Sequence, residues 1–301
     1  MTTPVAPTTL LDPALLARIG DLALLARTVV DGFMHGLHRA RRLGLSLDFA
    51  EHRAYQPGDD IRRIDWRVYG RTDRFYVKEY EADTNASVTF VLDASASMEF
   101  GSGGVTKYGY GRMLLASLAW LSQRQGDRVG LVTEAGGRLE VIPPSTRHLQ
   151  LILHSLGRGH GAGAGRLGPL LERASRLSAR AGIAVVVSDC YEEPAEVQRG
   201  VGALRGRGHD VILFHLLDPA ERDLPGEGSA TFEDAETGER LPLRPELLRD
   251  RYRSELDAHR RELARRLAGL GADYVPLTTD QPLDVALHAY LEQRLAMSRI
   301  R

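Results

Sequence analysis

A single cysteine, Cys190, among 301 residues removes any internal disulfide framework and fits a chain kept in a reducing compartment. Charge of one sign is not in excess either. With 39 Lys and Arg against 40 Asp and Glu, the formal net charge is −1, so no global field steers the chain to nucleic acid or an anionic membrane, and such a partner would need a local patch. Long apolar runs are missing. The longest early stretch, residues 10–30, is interrupted by Asp12, Arg18, Asp21 and Arg27, which hydrocarbon tolerates only when they are paired. The segment Met1-Thr2-Thr3-Pro4-Val5-Ala6-Pro7 lacks the basic and apolar regions of a secretory leader. These absences point to a soluble, cytoplasmic protein without a membrane span.

What the chain does contain is a regular alternation of apolar strands and helical stretches. Residues 88–92, 128–133, 183–188, 210–217 and 273–277 read as strands, and 138–142, alternating and followed by Pro143-Pro144, as an edge strand. Residues 109–125, 146–156, 167–181, 245–270 and 283–295 read as helices, the fourth with an apolar stripe of Leu248, Tyr252, Leu256, His259, Leu263, Leu267 and Leu270 that suits a surface helix covering the sheet. Between them, 231–241 with Gly238 at its turn reads as a hairpin. Alternation of this kind demands right-handed crossovers, hence an α/β fold with a doubly wound, mostly parallel sheet and helices on both faces.

Upstream, Asp12 and Pro13 form an N-cap and first turn, and Leu15, Ile19, Leu22, Ala26, Val29 and Phe33 follow at helical spacing. One amphipathic helix is expected, docked on the main domain or on another protein. Arg39, Arg41 and Arg42 come next, then a Pro57-Gly58 turn and Arg62-Arg63-Ile64-Asp65-Trp66-Arg67. Arginines around a tryptophan suit cation–π and carboxylate contacts, so Arg62, Arg63, Trp66 and Arg67 are scaffolding first and a partner surface second. Residues 1–85 thus form an extension packed on the core, and 86–301 the main domain.

The chemistry collects where the first core strand ends. Asp93-Ala94-Ser95-Ala96-Ser97 sets one carboxylate and two hydroxyls on a tight loop, an all-oxygen cradle of the kind magnesium or manganese prefers. A serine-rich turn capping the next helix is the alternative. Right-handed crossovers bring the carboxyl ends of 88–92 and 183–188 to one rim, so Asp189 approaches Asp93, and two converging carboxylates need a cation or a proton between them. Asp189 as a helix N-cap is the competing assignment.

Taken together, Leu47-Asp48-Phe49-Ala50-Glu51-His52-Arg53, the turn 55–60, Arg62 to Arg67, Tyr76-Val77-Lys78-Glu79 and Leu92-Asp93-Ala94-Ser95-Ala96-Ser97-Met98 closely resemble the bacterial family called domain of unknown function 58, from about Arg39 to near the C-terminus. Its core is similar to a von Willebrand factor A domain. The resemblance implies a metal-ion-dependent adhesion site completed by the aspartate matching Asp189, and, by family analogy, a working link to MoxR-type AAA+ ATPases. One departure stands out. Where the resembled sites take a threonine hydroxyl, this chain has Gly165, followed by Arg166, and Thr133 or Glu134, at the end of the neighbouring strand, could substitute.

Enzyme chemistry is poorly provided for. An aspartyl-phosphate phosphohydrolase needs a second acid two residues after its nucleophile, and Asp93 has Ser95 there. Residues 101–107 look superficially like a phosphate loop, but no glycine precedes Lys107 and Tyr108 follows it. No G-x-S-x-G or H-E-x-x-H pattern occurs. The sequence therefore reads as a non-enzymatic interaction module or adaptor in which a partner's acidic side chain completes a magnesium site of Asp93, Ser95, Ser97 and Asp189. Nucleic-acid binding through Arg39, Arg41, Arg42, Arg62, Arg63 and Arg67 is the alternative, and a magnesium-dependent phosphohydrolase ranks below it.

Overall fold

A computed structural model describes residues 12–42, 52–54, 76–78, 86–135, 138–162, 165–177 and 181–298. The expected single N-terminal helix is two. Asp12 accepts the N–H of Ala14 at 2.8 Å and caps α1 (Pro13–Leu16), while Asp21 accepts the N–H groups of Ala23 and Leu24 at 2.8 and 3.1 Å and starts α2 (Leu22–Arg42). The apolar period runs through both, but a second cap after Gly20 restarts the helix. Leu25, Ala26, Val29, Val30 and Phe33 of α2 are buried in the main core, so this helix docks within the chain.

Strands β1 (His52–Ala54) and β2 (Tyr76–Lys78) pair antiparallel, His52 opposite Lys78. Arg62, Arg63, Trp66 and Arg67 lie outside the described residues, as do the side chains of Arg39, Arg41 and Arg42.

The main sheet has six strands: β3 (Ser87–Leu92), β4 (Arg128–Ala135), β5 (Arg138–Ser145), β6 (Ile183–Ser188), β7 (Asp210–Leu217) and, after the short antiparallel hairpin of β8 (Ala230–Glu233) and β9 (Arg240–Leu243), β10 (Asp273–Thr278). Its order is β10-β7-β6-β3-β4-β5, parallel throughout except for the β5 edge. This is the doubly wound α/β architecture of von Willebrand factor A type. Pro143 and Pro144 continue β5 instead of ending it, as an edge strand permits. The β4–β5 register shifts between Val129 and Leu131, where a Cβ on Gly130 would stand 2.7 Å from the Ile142 carbonyl oxygen.

The strands are apolar on both faces because both are covered. Phe90, Leu92, Val185, Val187 and Phe214 face a core built with α2, α3 (Lys107–Arg124), α4 (Leu149–Arg158) and α9 (Leu283–Ser298). Val91, Ala184, Val186 and Leu213 face the opposite core with α5 (Leu167–Leu177), α6 (Pro194–Arg205) and α8 (Pro245–Ala268). Only the C-terminal half of α8 covers the sheet: Leu263 and Leu267 are buried, whereas Leu248 is 39% exposed and Leu247 73%. Arg249 ties the protruding half down by donating to the carbonyls of Leu224 and Gly226 at 3.0 and 2.8 Å. Among the described residues no helix is long and apolar enough to cross a membrane.

From β3 the chain winds first to β4 and β5 on one side and then to β6 and β7 on the other. The strand order reverses between β3 and β6, which is where open α/β sheets leave a crevice at their carboxyl rim.

Candidate metal centre

Two backbone facts set the geometry of that crevice. Leu92 lies opposite Val187 in the β3–β6 ladder, and the N–H of Asp93 donates to the Val187 carbonyl at 3.0 Å, so both strands end side by side. Asp93 and Asp189 then line one cavity of about 200 Å³, together with Ser95, Gly165, Ser188 and Glu236. Asp93 Oδ1 accepts the N–H of Ser95 at 2.9 Å, and its Oδ2 accepts the Ser188 hydroxyl at 2.6 Å. The Ser95 and Ser97 hydroxyl oxygens are 3.0 Å apart, and Ser97 donates onward to Glu236 Oε1 at 3.5 Å. The four residues singled out in the sequence are thus brought together. Asp189 does not cap the following helix, whose N-cap is Glu193.

The ammonium at this corner, that of Lys107, pairs with Asp189 rather than with Asp93. Burial, and after it the nearby Asp189 carboxylate, push Asp93 up from 3.8 to about 7, against the hydrogen bonds from Ser188 and Ser95. Burial is the main cause of the rise, and a hard divalent cation bound beside Asp93 would favour its ionised form. The donor set of two carboxylates and two hydroxyls fits magnesium or manganese in kind. Among the described residues no cluster of three or more His, Cys, Asp or Glu is placed to hold a metal, so any such site rests on these mixed oxygen donors.

One expectation changes on contact with the geometry. The Thr133 hydroxyl donates to the Leu92 carbonyl at 2.9 Å and is spent inside the sheet, and Glu134 does not line the cavity, so neither replaces the missing threonine. Gly165 is there for packing: a Cβ would stand 3.1 Å from Ser95 Cα and 3.2 Å from its nitrogen. Arg166 directs its guanidinium to Glu196, 3.2 Å away on α6, instead of into the donor set. Cys190 is buried with φ of 51°, and burial followed by Asp189 raises its thiol well above the ordinary range, the opposite of an activated nucleophile.

Several members of the site were not apparent in the sequence. Lys107, at the start of α3, is completely buried, with Nζ 2.7 Å from Asp189 Oδ2, 2.6 Å from Glu221 Oε1 on α7 (Pro219–Asp223), and 4.6 Å from the centre of the Tyr191 ring. The Ser102 N–H donates to Asp218 Oδ2 at 2.9 Å, and its hydroxyl donates to Asp218 Oδ1, so the glycine-rich loop holds a carboxylate of its own chain. Glu236 arrives from the β8–β9 turn, where Asp234 Oδ1 accepts its N–H at 2.8 Å. Ser188 carried one signal, being the polar last residue of an otherwise apolar strand. Glu236 carried none.

The family described as "Protein of unknown function DUF58" matches residues 51–262. The chain belongs to that family. Rv1480, an uncharacterized protein of Mycobacterium tuberculosis, is 33% identical over 277 residues, covering 90% of this chain and 86% of its own length. Among solved structures, the conserved hypothetical protein BatB of Bacteroides thetaiotaomicron is similar over 71% of this chain and 99% of its own, with 19% identity and a TM-score of 0.46. The SpRpn10 VWA domain covers 67% of this chain and 94% of its own, with 12% identity and a TM-score of 0.41. The fold assignment rests on the sheet order itself.

Proposed function

We propose that this DUF58 protein is a non-enzymatic interaction module whose crevice holds a magnesium or manganese ion on Asp93, Ser95, Ser97 and Asp189. The bound ion would supply a Lewis-acidic position open to an oxygen ligand, and a partner's carboxylate is the ligand that completes it. One observation carries this reading: a buried carboxyl, raised to about 7 by burial and a second carboxylate, sits beside two hydroxyls at the sheet's switch point. The chain's own residues divide the work. Ser188 and the Ser95 N–H fix both oxygens of Asp93, and Tyr191, which lines the cavity and is 49% accessible, offers a partly exposed ring to a protein partner.

What stands near Asp93 supports binding without turnover. The position a general acid would need holds Ser95, whose N–H and hydroxyl are committed to Asp93 and Ser97. A MoxR-type AAA+ ATPase is the partner class that the family resemblance suggests, and it is part of the proposal. The test is affinity capture with the immobilised chain in magnesium and then in chelator. A partner held in magnesium, released by chelator and lost with Asp93→Ala supports the reading; equal retention by Asp93→Ala overturns it.

A further inference from the structure

Lys107 is an ammonium group without solvent, and the structure gives it no task in holding α3. The helix is started by Thr106, whose hydroxyl accepts the N–H of Gly109 at 2.9 Å, and the Lys107 N–H donates to the Phe100 carbonyl at 2.9 Å. The side chain instead stands between Asp189 and Glu221, with the Tyr191 ring against it. A buried ion pair adds little net stability over an apolar filling of the same volume, so the ammonium calls for another explanation. Charge supplies one. The ammonium meets two carboxylates at once, Asp189 at 2.7 Å and Glu221 at 2.6 Å, and Asp189 also lines the cavity shared with Asp93 and Glu236. Asp189 is therefore claimed both by the ammonium and by any cation bound in that cavity.

We propose that Lys107 is a positioning residue that shares Asp189 with the incoming ion and thereby holds down the affinity of the metal site. Glu221 is the ammonium's second partner, drawing it off Asp189. The inference rests on the metal reading above. It also explains how a partner's carboxylate becomes decisive: a site that binds its ion weakly alone is completed only in the complex. Because Glu221 Oε2 accepts the N–H of Asp218 at 2.9 Å, and Asp218 holds Ser102, the same contacts join the ion to the loop beside Phe100.

The test titrates manganese chloride into the intact chain, reading affinity by calorimetry and free manganese by electron paramagnetic resonance, with thermal melts to report folding. In Glu221→Gln, Lys107 stays wholly on Asp189, and manganese affinity falls severalfold. In the double variant Lys107→Met with Glu221→Gln, two aspartates face the ion without a competitor, and affinity rises at least tenfold. A purely structural lysine would not move the two variants in opposite directions. Unchanged affinity in both overturns the inference and leaves the metal reading standing, whereas a wild-type chain that takes up no manganese overturns both. If the double variant fails to fold, Glu221→Gln decides: tighter or unchanged binding contradicts the role assigned to Lys107.

Discussion

Ser188 Oγ donates to Asp93 Oδ2 across 2.6 Å while accepting the N–H of Cys190 at 3.0 Å, so a single hydroxyl links the ends of β3 and β6. Because it favours the ionised form of a buried acid, its loss is felt twice, as a missing hydrogen bond and as a further rise in the Asp93 pKa. Ser188→Ala is expected to lower stability by about 1.5–3 kcal/mol near neutral pH, measured by urea denaturation.

Asp93 also gives the metal-free chain an unusual pH response. Its folded value, about 7, lies above 3.8, so between these values the folded state keeps a proton that the unfolded state releases. The stability that this group contributes is complete below 3.8 and is lost as pH rises through about 7. In chelator, the unfolding free energy from urea denaturation should therefore fall between pH 5 and pH 8, by on the order of a few kcal/mol. Asp93→Asn should flatten this dependence, and magnesium at pH 8 should restore part of the loss in the wild type alone.

Gly165 offers a test of packing against ligation. Placing the threonine of the resembled sites here, as Gly165→Thr, drives a Cβ to 3.1 Å from Ser95 Cα and displaces the Asp93–Ser97 loop. The expected result is a loss of about 1–3 kcal/mol and no gain in metal affinity. Calorimetric titration of the variant with magnesium checks both.

A second buried charge pair lies at the opposite end of the sheet. Asp127, without solvent exposure, bonds Arg294 of α9 and accepts the N–H of Ala86 at 3.1 Å. Arg294→Met removes the α9 partner of that carboxylate and should lower stability by about 1.5–3 kcal/mol, with early loss of hydrogen-exchange protection in α9.

The sequence disclosed most where local pattern and burial agree. Ile183–Ser188 and Asp210–Leu217 were legible to the residue because strands buried on both faces are uniformly apolar and bounded by turns. The break between α1 and α2 was not, since the apolar period continues through Gly20 and Asp21 and only the cap geometry separates them. The stripe along α8 was seen, but its N-terminal half lies past the sheet, a matter of tertiary placement that no period encodes. Asp93 was found from its loop of alternating oxygen side chains and Asp189 by topology, because crossover handedness puts parallel strand ends on one rim. Lys107 was missed for the complementary reason: a lysine near a helix start reads as exposed, and its partners Asp189 and Glu221 lie 82 and 114 residues away in sequence.

Magnesium titration by calorimetry at pH 8, comparing the wild-type chain with Asp93→Ala, addresses the metal centre most directly. A saturable one-site isotherm in the wild type, absent from a variant that still melts cooperatively, is the result predicted. No uptake by the wild type, or the same isotherm from both chains, would contradict a cation held between Asp93 and Asp189.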